Sequence, residues 1–243
     1  MRIVIVGAGD NGVQVLHILK HSTHEVVGFV DDDALKTGSV VCGRPVLGTG
    51  AILADLRAGG IEGGIVAIGD NRTRSSYTGR LIAAGFEIVN AIHPAAMIDE
   101  SAILGRGIII EMGAVIHPLA RIGNCVFLGG SSVISHHSVV EDNVLIGGGV
   151  IFGGRVHVGR DSLIGVGAVL QPYTRVGSNV VVGIGAAVVR DLPDNVVAVG
   201  VPARIVRENL PIVPQTGETA DGEAASGVSP ASGERIGGTR AQD

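Results

Sequence analysis

The second half of the chain repeats an apolar position every six residues. Counted in steps of six from residue 98 to residue 188, all sixteen positions are apolar and fifteen are aliphatic. A period of six fits neither an α-helix nor an alternating strand. It is typical of a parallel β-helix, in which three hexads, or about 18 residues, complete one coil. The sequence therefore predicts a little over five coils. The sixteen positions are Ile98, Leu104, Ile110, Ile116, Ile122, Leu128, Ile134, Val140, Ile146, Phe152, Val158, Ile164, Leu170, Val176, Val182 and Val188.

The first ninety residues follow a different pattern of short apolar runs separated by helical stretches. An apolar strand is predicted at residues 2–6, a helix at 13–20 and a second strand at 25–30. The G-x-G-x-x-G sequence at residues 7–12 joins the first two, and Asp31-Asp32-Asp33 ends the second strand. Such glycines let backbone N–H groups approach a phosphate at a helix N-terminus, and an acidic residue can bind a ribose hydroxyl.

A third strand at residues 65–68, a helix ending near residue 84 and a fourth strand at 86–89 complete one mononucleotide-binding half. The second half that a dinucleotide needs has no room before the repeats begin. A nucleotide-sugar is therefore the expected ligand, and a tight strand–helix turn without a ligand is the alternative.

Composition changes this interpretation in only a few respects. Glycine is 39 of 243 residues against a usual ~7%, and aromatic residues are 2%, which fits a solenoid with a core of small aliphatic side chains. The charge balance of 18 − 23 = −5, without a basic block, argues against nucleic acid or an anionic membrane as a partner. Two cysteines exclude a disulfide framework, and no apolar run approaches ~18 residues. With no leader pattern at the start, we expect a soluble cytoplasmic protein.

Several motifs, taken together, resemble those of the PglD/NeuD-type sugar O- or N-acetyltransferases. In chain order they are VGAGDNG, GFVDDD, GRPVLG, AIGDNRTR and IHP, followed by the hexads and GVPAR. The resemblance implies a Rossmann-like nucleotide-binding α/β domain (1–92), then a left-handed parallel β-helix (93–207) that binds acetyl-CoA and forms a homotrimer. Residues 208–243 are nearly free of aliphatic side chains, which predicts a disordered tail. By this resemblance the sugar-nucleotide is held by Gly7, Gly9, Asp31, Asp32, Asn71 and Arg72.

The same resemblance assigns a catalytic base. Acetyl transfer needs a base for the nucleophile and hydrogen-bond donors for the developing oxyanion. His136, in the segment SSVISHHSVV, falls where the family has its catalytic histidine, and we predict it at a corner of the β-helix together with His137. One coil further lies Gly154, whose N–H is the predicted oxyanion donor. The alternative is a pair of solvated corner histidines.

Two positions depart from the family pattern. The acidic residue that commonly follows the base is replaced by His137, and a histidine about nine positions on is replaced by Leu145. The group that orients His136 is therefore open between Glu141, Asp142 and water.

The segment near the end of the repeats resembles the G-x-P-A-[KR] closure that lies beside the adenine and 3′-phosphate of the cofactor. It assigns Gly200, Pro202 and Arg204 to acetyl-CoA binding, and Gly154 and Gly165 are also predicted to contact the cofactor. A capping turn that shields the last coil is the other reading of this segment.

We therefore expect N-acetylation of a nucleotide-linked amino sugar used for surface glycans. O-acetylation of a sugar, as in the sialic-acid branch, is the nearest alternative, and a non-catalytic sugar-nucleotide-binding scaffold is an alternative of another class. A metal-dependent hydratase on a β-helix needs two histidines of one chain at a short fixed interval. The β-helix histidines at 117, 136, 137 and 157 do not have that spacing, so no metal is expected.

Overall fold

The computed structural model describes residues 1–209. The predicted disordered tail falls outside these residues, apart from its first two positions. An α/β part precedes a parallel β-helix that begins at Ala91.

The α/β part is built on one six-stranded sheet. Its strands are β1 (Arg2–Val6), β2 (Glu25–Val30), β3 (Val40–Val41), β4 (Arg44–Gly48), β5 (Gly63–Val66) and β6 (Glu87–Ile88). Its helices are α1 (Asp10–Leu19), α2 (Leu53–Ala58) and α3 (Asn71–Ala83), with 3-10 turns at Ala34–Lys36 and Gly50–Ile52. The strand order is β3-β4-β2-β1-β5-β6, and all pairs are parallel except the β3–β4 hairpin. This order puts β1 at the centre, with its carboxyl end between those of β2 and β5.

Strand β1 is apolar after the exposed Arg2 because both of its faces are covered, as is usual in a parallel sheet. Ile3 and Ile5 pack with the buried side of α1, whereas Val4 and Val6 pack on the other side with α3. Two predicted boundaries move for physical reasons. Helix α1 begins three residues early because Gly9 is its extended N-cap. Strand β5 also begins two residues early, since Gly63 pairs with Ile3. The β3–β4 hairpin and α2 were not predicted.

The β-helix has three faces, each a parallel sheet of two-residue strands that is lengthened on face 1 by the last two strands. Face 1 contains β7 (Ala91–Ile92), β10 (Ile109–Ile110), β13 (Phe127–Leu128), β16 (Leu145–Ile146), β19 (Leu163–Ile164), β22 (Val181–Val182), β24 (Val196–Val199) and the antiparallel β25 (Arg204–Glu208). Face 2 contains β8 (Met97–Ile98), β11 (Val115–Ile116), β14 (Val133–Ile134), β17 (Ile151–Phe152), β20 (Val169–Leu170) and β23 (Ala187–Val188). Face 3 contains β9 (Ile103–Leu104), β12 (Arg121–Ile122), β15 (Val139–Val140), β18 (His157–Val158) and β21 (Arg175–Val176).

The predicted period is confirmed residue by residue. Strands of successive coils pair at a spacing of 18 residues, as Ile116 does with Ile134. Each of the sixteen predicted apolar positions is the second residue of its strand and belongs to the β-helix core or packs against it. Ile98 and Leu104, in the first coil, are only half-buried. The repeat begins one hexad earlier than predicted, at β7.

The outward residues differ among the three faces. On face 1, Ile109, Phe127 and Leu145 pack into the core that includes α1, so the α/β part covers this face. On face 2 the outward residue of every strand is apolar: Met97, Val115, Val133, Ile151, Val169 and Ala187. Three of them are about half exposed or more, at 63% for Met97, 47% for Ile151 and 46% for Val169. Face 3 carries Arg121, His157 and Arg175 and is the polar face.

A buried arginine joins the α/β part to the β-helix. Arg74 of α3 is 1% exposed, and its guanidinium donates to the carbonyl oxygens of Ile68, Gly69, Cys125 and Asn143. Burial lowers its pKa from 12.5 to about 10, so the group stays charged at neutral pH. Its charge is therefore held largely by carbonyl dipoles of both parts of the chain.

Candidate active site

His136 and His137 lie at the corner between face 2 and face 3, and their backbone is fixed by the coils on either side. His137 has a φ of 58°, in the left-handed region, and its N–H donates to the Pro118 carbonyl at 3.1 Å. The His136 carbonyl accepts from the Arg155 N–H at 3.0 Å. Beneath the corner, the buried Ser138 hydroxyl accepts from the Val156 N–H at 3.2 Å. We call residues 135–138, with 153–155 of the next coil, the histidine corner.

The two imidazoles contact each other directly. The Nδ1 atoms of His136 and His137 are 3.1 Å apart, and the rings are nearly perpendicular, at 89°. Because a hydrogen bond between two neutral imidazoles has one proton, one ring donates and the other accepts. Both side chains are exposed.

Gly154 lies directly under the His136 ring, as the stacking of coils predicts. A Cβ at Gly154 would lie 2.6 Å from both Cε1 and Nε2 of His136, so only glycine leaves room for this ring position. Among residues 1–209 the Gly154 N–H donates to no acceptor. The corner therefore presents a histidine nitrogen and a free backbone N–H on neighbouring coils.

The electrostatics of the corner act on His137. Desolvation, the Arg155 charge and the neighbouring His136 together lower the pKa of His137 below its ordinary value of 6.5. At neutral pH, His137 is therefore an uncharged imidazole with one free nitrogen lone pair.

Neither of the acidic side chains considered from the sequence contacts His136. Glu141 Oε1 lies 2.9 Å from Nε2 of His157, and its other oxygen accepts from the Arg160 N–H at 3.1 Å. Asp142 accepts from the N–H of Asn124 at 2.7 Å. The side chain that contacts His136 is His137.

The second feature is a cleft of about 460 Å³ at the carboxyl ends of β1, β2 and β5. Four of the six residues predicted to hold the sugar-nucleotide line it: Gly7, Gly9, Asp31 and Asp32. Gly7 has a φ of 102°, and a Cβ there would lie 2.9 Å from the Ala67 carbonyl oxygen. Gly9 has open space on its Cβ side and is the N-cap of α1. Backbone can therefore come close to a ligand at the helix N-terminus.

The two aspartates of the cleft have different partners. Asp31 Oδ2 accepts from the Ala8 N–H at 2.8 Å and from Lys36 Nζ at 3.0 Å, while its Oδ1 accepts from the Asp33 N–H. Burial alone would raise the pKa of Asp31, but these hydrogen bonds outweigh it and the pKa is lowered. Asp31 thus ties the glycine loop to the end of β2.

Asp32 keeps more of its carboxylate accessible, with 59% of the side chain exposed. Contact with the Tyr77 hydroxyl, the hydrogen bond from the Gly50 N–H and the charge of Arg80 lower its pKa. Tyr77 forms part of the cleft wall, and the Arg80 guanidinium carbon lies 4.3 Å from the centre of its ring. The cleft therefore combines a helix N-terminus, an accessible carboxylate and an aromatic wall.

The structure does not bring Asn71 and Arg72 to this cleft. The Asn71 amide donates to the carbonyl oxygens of Asp161 and Ser162 in the β-helix, and its Oδ1 accepts from Arg74. Arg72 is exposed and is not among the lining residues. Asn71 therefore acts with Arg74 in joining the two parts of the chain.

Comparison with known proteins identifies the family. The α/β part matches the family model of the PglD N-terminal domain over residues 2–81. A histidine-to-asparagine variant of perosamine N-acetyltransferase from Caulobacter crescentus, solved in complex with CoA and GDP-perosamine, is 35% identical to this chain. The match covers 86% of this chain and 98% of that one, with a TM-score of 0.82. The chain belongs to the PglD/NeuD-type sugar acetyltransferase family.

Further relatives agree with this assignment. The acetyltransferase domain of PglB from Neisseria gonorrhoeae is 31% identical, with a TM-score of 0.77 and coverage of 84% of this chain and 99% of that one. WeeI from Acinetobacter baumannii, at 24% identity, has the same fold, with a TM-score of 0.76 and coverage of 85% and 100%. No match is found among the curated proteins. The fold of this PglD/NeuD-type chain is confirmed as an α/β nucleotide-binding domain followed by a left-handed parallel β-helix.

The predicted cofactor residues of this PglD/NeuD-type chain lie in two places. Gly165 is packed against the next coil, where a Cβ would lie 2.7 Å from the Ile184 nitrogen, so its absent side chain allows the coils to stack. Gly200 and Pro202 lie in the turn that closes the last coil, where the Gly200 carbonyl accepts from the Ala187 N–H. Arg204 begins the exposed strand β25.

Sequence reasoning missed a column of glycines at the corner between face 1 and face 2. Gly149, Gly167 and Gly185 are one coil apart, have φ values of 67°, 69° and 64°, and have open space where a Cβ would be. Their spacing of 18 residues equals one coil and is the sequence signal that predicts their stacking. Glycine is also frequent directly after the core aliphatic residues, whereas this column lies three residues after them.

A second cleft, of about 610 Å³, lies between α1 and this same corner of the PglD/NeuD-type chain. His17 and His21 line it from the α/β part, and Glu111, Met112 and Ser131 line it from the β-helix. Since α1 begins at the nucleotide cleft and ends here, the helix connects the two clefts.

Proposed function

We propose that this chain transfers the acetyl group of acetyl-CoA to the amine of a nucleotide-linked amino sugar. The observation that carries the proposal is the histidine corner, where the His136 ring lies against the Cβ side of Gly154, a residue whose N–H donates to no acceptor within residues 1–209. Support comes from the Caulobacter enzyme in complex with CoA and GDP-perosamine and from the Neisseria PglB domain in complex with acetyl coenzyme A.

The corner supplies the two groups that acetyl transfer requires. The amine nitrogen attacks the thioester carbonyl carbon, and His136 Nε2 takes the proton that the amine loses. The carbonyl oxygen becomes an oxyanion that accepts a hydrogen bond from the Gly154 N–H. When the C–S bond breaks, the thiolate of CoA leaves with the proton returned by His136. The products are the N-acetyl sugar nucleotide and the free thiol.

The nucleotide cleft would hold the rest of the acceptor. The N–H groups at the start of α1, beside Gly7 and Gly9, suit a pyrophosphate. The exposed Asp32 carboxylate suits a ribose hydroxyl, and Tyr77 offers an aromatic wall to the nucleoside. The sugar would then extend along α1 toward the second cleft.

We further propose a homotrimer assembled through face 2. This face is apolar along its whole length in the described part of the chain, and burying such a stripe favours association. In such a trimer, face 2 of each chain would pack around a threefold axis. The histidine corner of one chain would then lie against the corner between face 1 and face 2 of the next chain. The partner's second cleft then lies opposite His136, so each active site would be shared between two chains.

The glycine column borders the same shared groove. Gly149, Gly167 and Gly185 leave a surface without side chains on which the extended arm of CoA would lie. The arm would run from the histidine corner toward the closing turn, where Arg204 suits a phosphate of the cofactor.

The test is release of CoA thiol by the full chain with a panel of acceptors. The panel contains GDP-perosamine, a UDP-linked amino sugar, and matched nucleotide sugars with a hydroxyl in place of the amine. Transfer to an amine, with an N-acetyl product seen by mass spectrometry, supports the proposal.

Two other results would contradict it. Transfer to the hydroxyl sugars alone would favour O-acetylation, and tight nucleotide-sugar binding without any transfer would favour a scaffold. Calorimetry with the same nucleotide-sugars and with NAD tests the expectation that a single nucleotide is bound. The cytoplasmic location stays a prediction from the sequence.

A further inference from the structure

The contact between His136 and His137 has a direction that matters for the chemistry. If His136 carries its proton on Nδ1 and donates it to His137, then His136 Nε2 has a free lone pair and can act as a base. With the opposite direction, Nε2 of a neutral His136 carries the proton and cannot accept one. The 3.1 Å contact thus makes the tautomer of His136 depend on which of the two rings donates.

We propose that His137 is a positioning residue that, as a neutral imidazole, accepts the Nδ1 proton of His136 and thereby leaves His136 Nε2 free to deprotonate the acceptor amine. This inference rests on the proposed function, and it concerns the position where the family commonly has an acidic residue. The uncharged imidazole of His137 would orient His136, a role for which the sequence had suggested a carboxylate.

The surroundings of His137 keep its lone pair available. The following coil presents Arg155 at the stacked position, and the preceding coil presents the uncharged Leu119. His136 is the titratable group on its own corner. The Arg155 charge and desolvation lower the pKa of His137, which disfavours the protonated ring that could no longer accept.

The backbone allows a clean set of variants. His137 has a φ of 58°, a conformation that asparagine and glycine tolerate better than other residues. In His137→Asn the Oδ1 atom occupies the place of Nδ1, two bonds from Cβ, and accepts a hydrogen bond without titrating near neutral pH. His137→Gly removes the acceptor without backbone strain. Any difference between these two variants therefore reports the hydrogen bond.

The kinetic test compares kcat, KM and the acid limb of the pH profile. We expect kcat of His137→Asn within about threefold of the parent chain and kcat of His137→Gly lowered about tenfold, the usual scale of one hydrogen bond, with KM for acetyl-CoA little changed. Arg155→Gln removes a charge that lowers the pKa of His137, so it should move the acid limb to higher pH, most clearly at low salt because the pair is exposed. In the His137→Asn background the same change should move it less. His157→Asn, which alters a histidine paired with Glu141 on face 3, is the matched control.

A spectroscopic test needs no acceptor sugar. In ¹⁵N-histidine NMR spectra of the full chain, His136 should have a protonated Nδ1 and an unprotonated Nε2, and His137 an unprotonated Nδ1, assigned with His136→Gln and His137→Asn. The opposite pattern, or equal kcat for His137→Gly and the parent chain, would overturn the inference. If the expected tautomers are found but no acceptor is acetylated, the proposed function fails while the assigned hydrogen bond stands.

Discussion

Replacing Gly154 with alanine tests the histidine corner with a single methyl group. The added Cβ would lie 2.6 Å from Cε1 and Nε2 of His136, whereas ordinary contacts of this kind are 3.4–4 Å. Gly154 does not have a positive φ, so alanine fits its backbone. The clash must therefore be relieved by the exposed His136 side chain, which has to move by about 1 Å and cannot keep its 3.1 Å contact with His137 unchanged.

A displacement of this size has a predictable cost. Misplacing a catalytic group by about 1 Å lowers the rate by roughly a hundredfold. We therefore expect kcat of Gly154→Ala to fall by about two orders of magnitude. The free energy of unfolding should change little, because the ring that moves is exposed. Alanine also restricts the unfolded chain, which stabilises the fold by about 0.4–1 kcal/mol.

The assay is steady-state thiol release together with a thermal unfolding scan. Gly79→Ala is the matched control, since a Cβ at Gly79 on α3 meets nothing within 4 Å. The double variant of Gly154→Ala with His136→Ala should be no slower than His136→Ala alone if the methyl acts through the ring. An unchanged kcat for Gly154→Ala, or a double variant slowed by the full product of both effects, would refute the reasoning.

Four further outcomes are expected. His136→Ala should lower kcat by roughly 10²–10⁴-fold with little change in the affinity for acetyl-CoA, measured by kinetics and calorimetry. Arg74→Met leaves several buried carbonyl oxygens without their donor and should reduce the free energy of unfolding by about 3–5 kcal/mol in a urea titration. Ile151→Lys puts a charge on face 2 and should convert a trimer to monomers in light scattering; a parent chain that is already monomeric would contradict the shared site. The pKa of Asp31 is lowered on folding, so its contribution to stability is present above the ordinary pKa of 3.8 and is lost as the pH falls through the lower folded value. Asp31→Asn should therefore flatten the acid part of the curve of unfolding free energy against pH.

The β-helix was predictable from the sequence to the residue because its period is strict. Each inward side chain stacks on its equivalent one coil away, so a single slip would bury a polar residue. The same arithmetic placed Gly154 under His136. The α/β part was less predictable at its edges, where the β3–β4 hairpin contains only two-residue and five-residue strands with an exposed outer side.

The partners of individual side chains were the least predictable part. Asn71 was assigned to sugar-nucleotide binding by the family resemblance, yet its amide reaches Asp161, 90 residues away. Glu141 is near His136 in sequence but extends to His157 on the next coil. Such choices depend on which groups the completed coils bring within hydrogen-bond distance, and sequence spacing along one strand does not contain that information.

The uniform coil also fixes distances along the axis of the β-helix. Arg190 is stacked three coils after His136 and lies just before the closing segment of the chain. Neighbouring strands lie about 4.8 Å apart, so the axial distance between these two levels is roughly 14 Å. It changes only in whole coils, because losing a single hexad would turn every later side chain onto another face. If the thiol-bearing arm of CoA binds as proposed, the length it must span is set by the whole number of coils between His136 and the closing segment, and substitutions within a coil cannot adjust it.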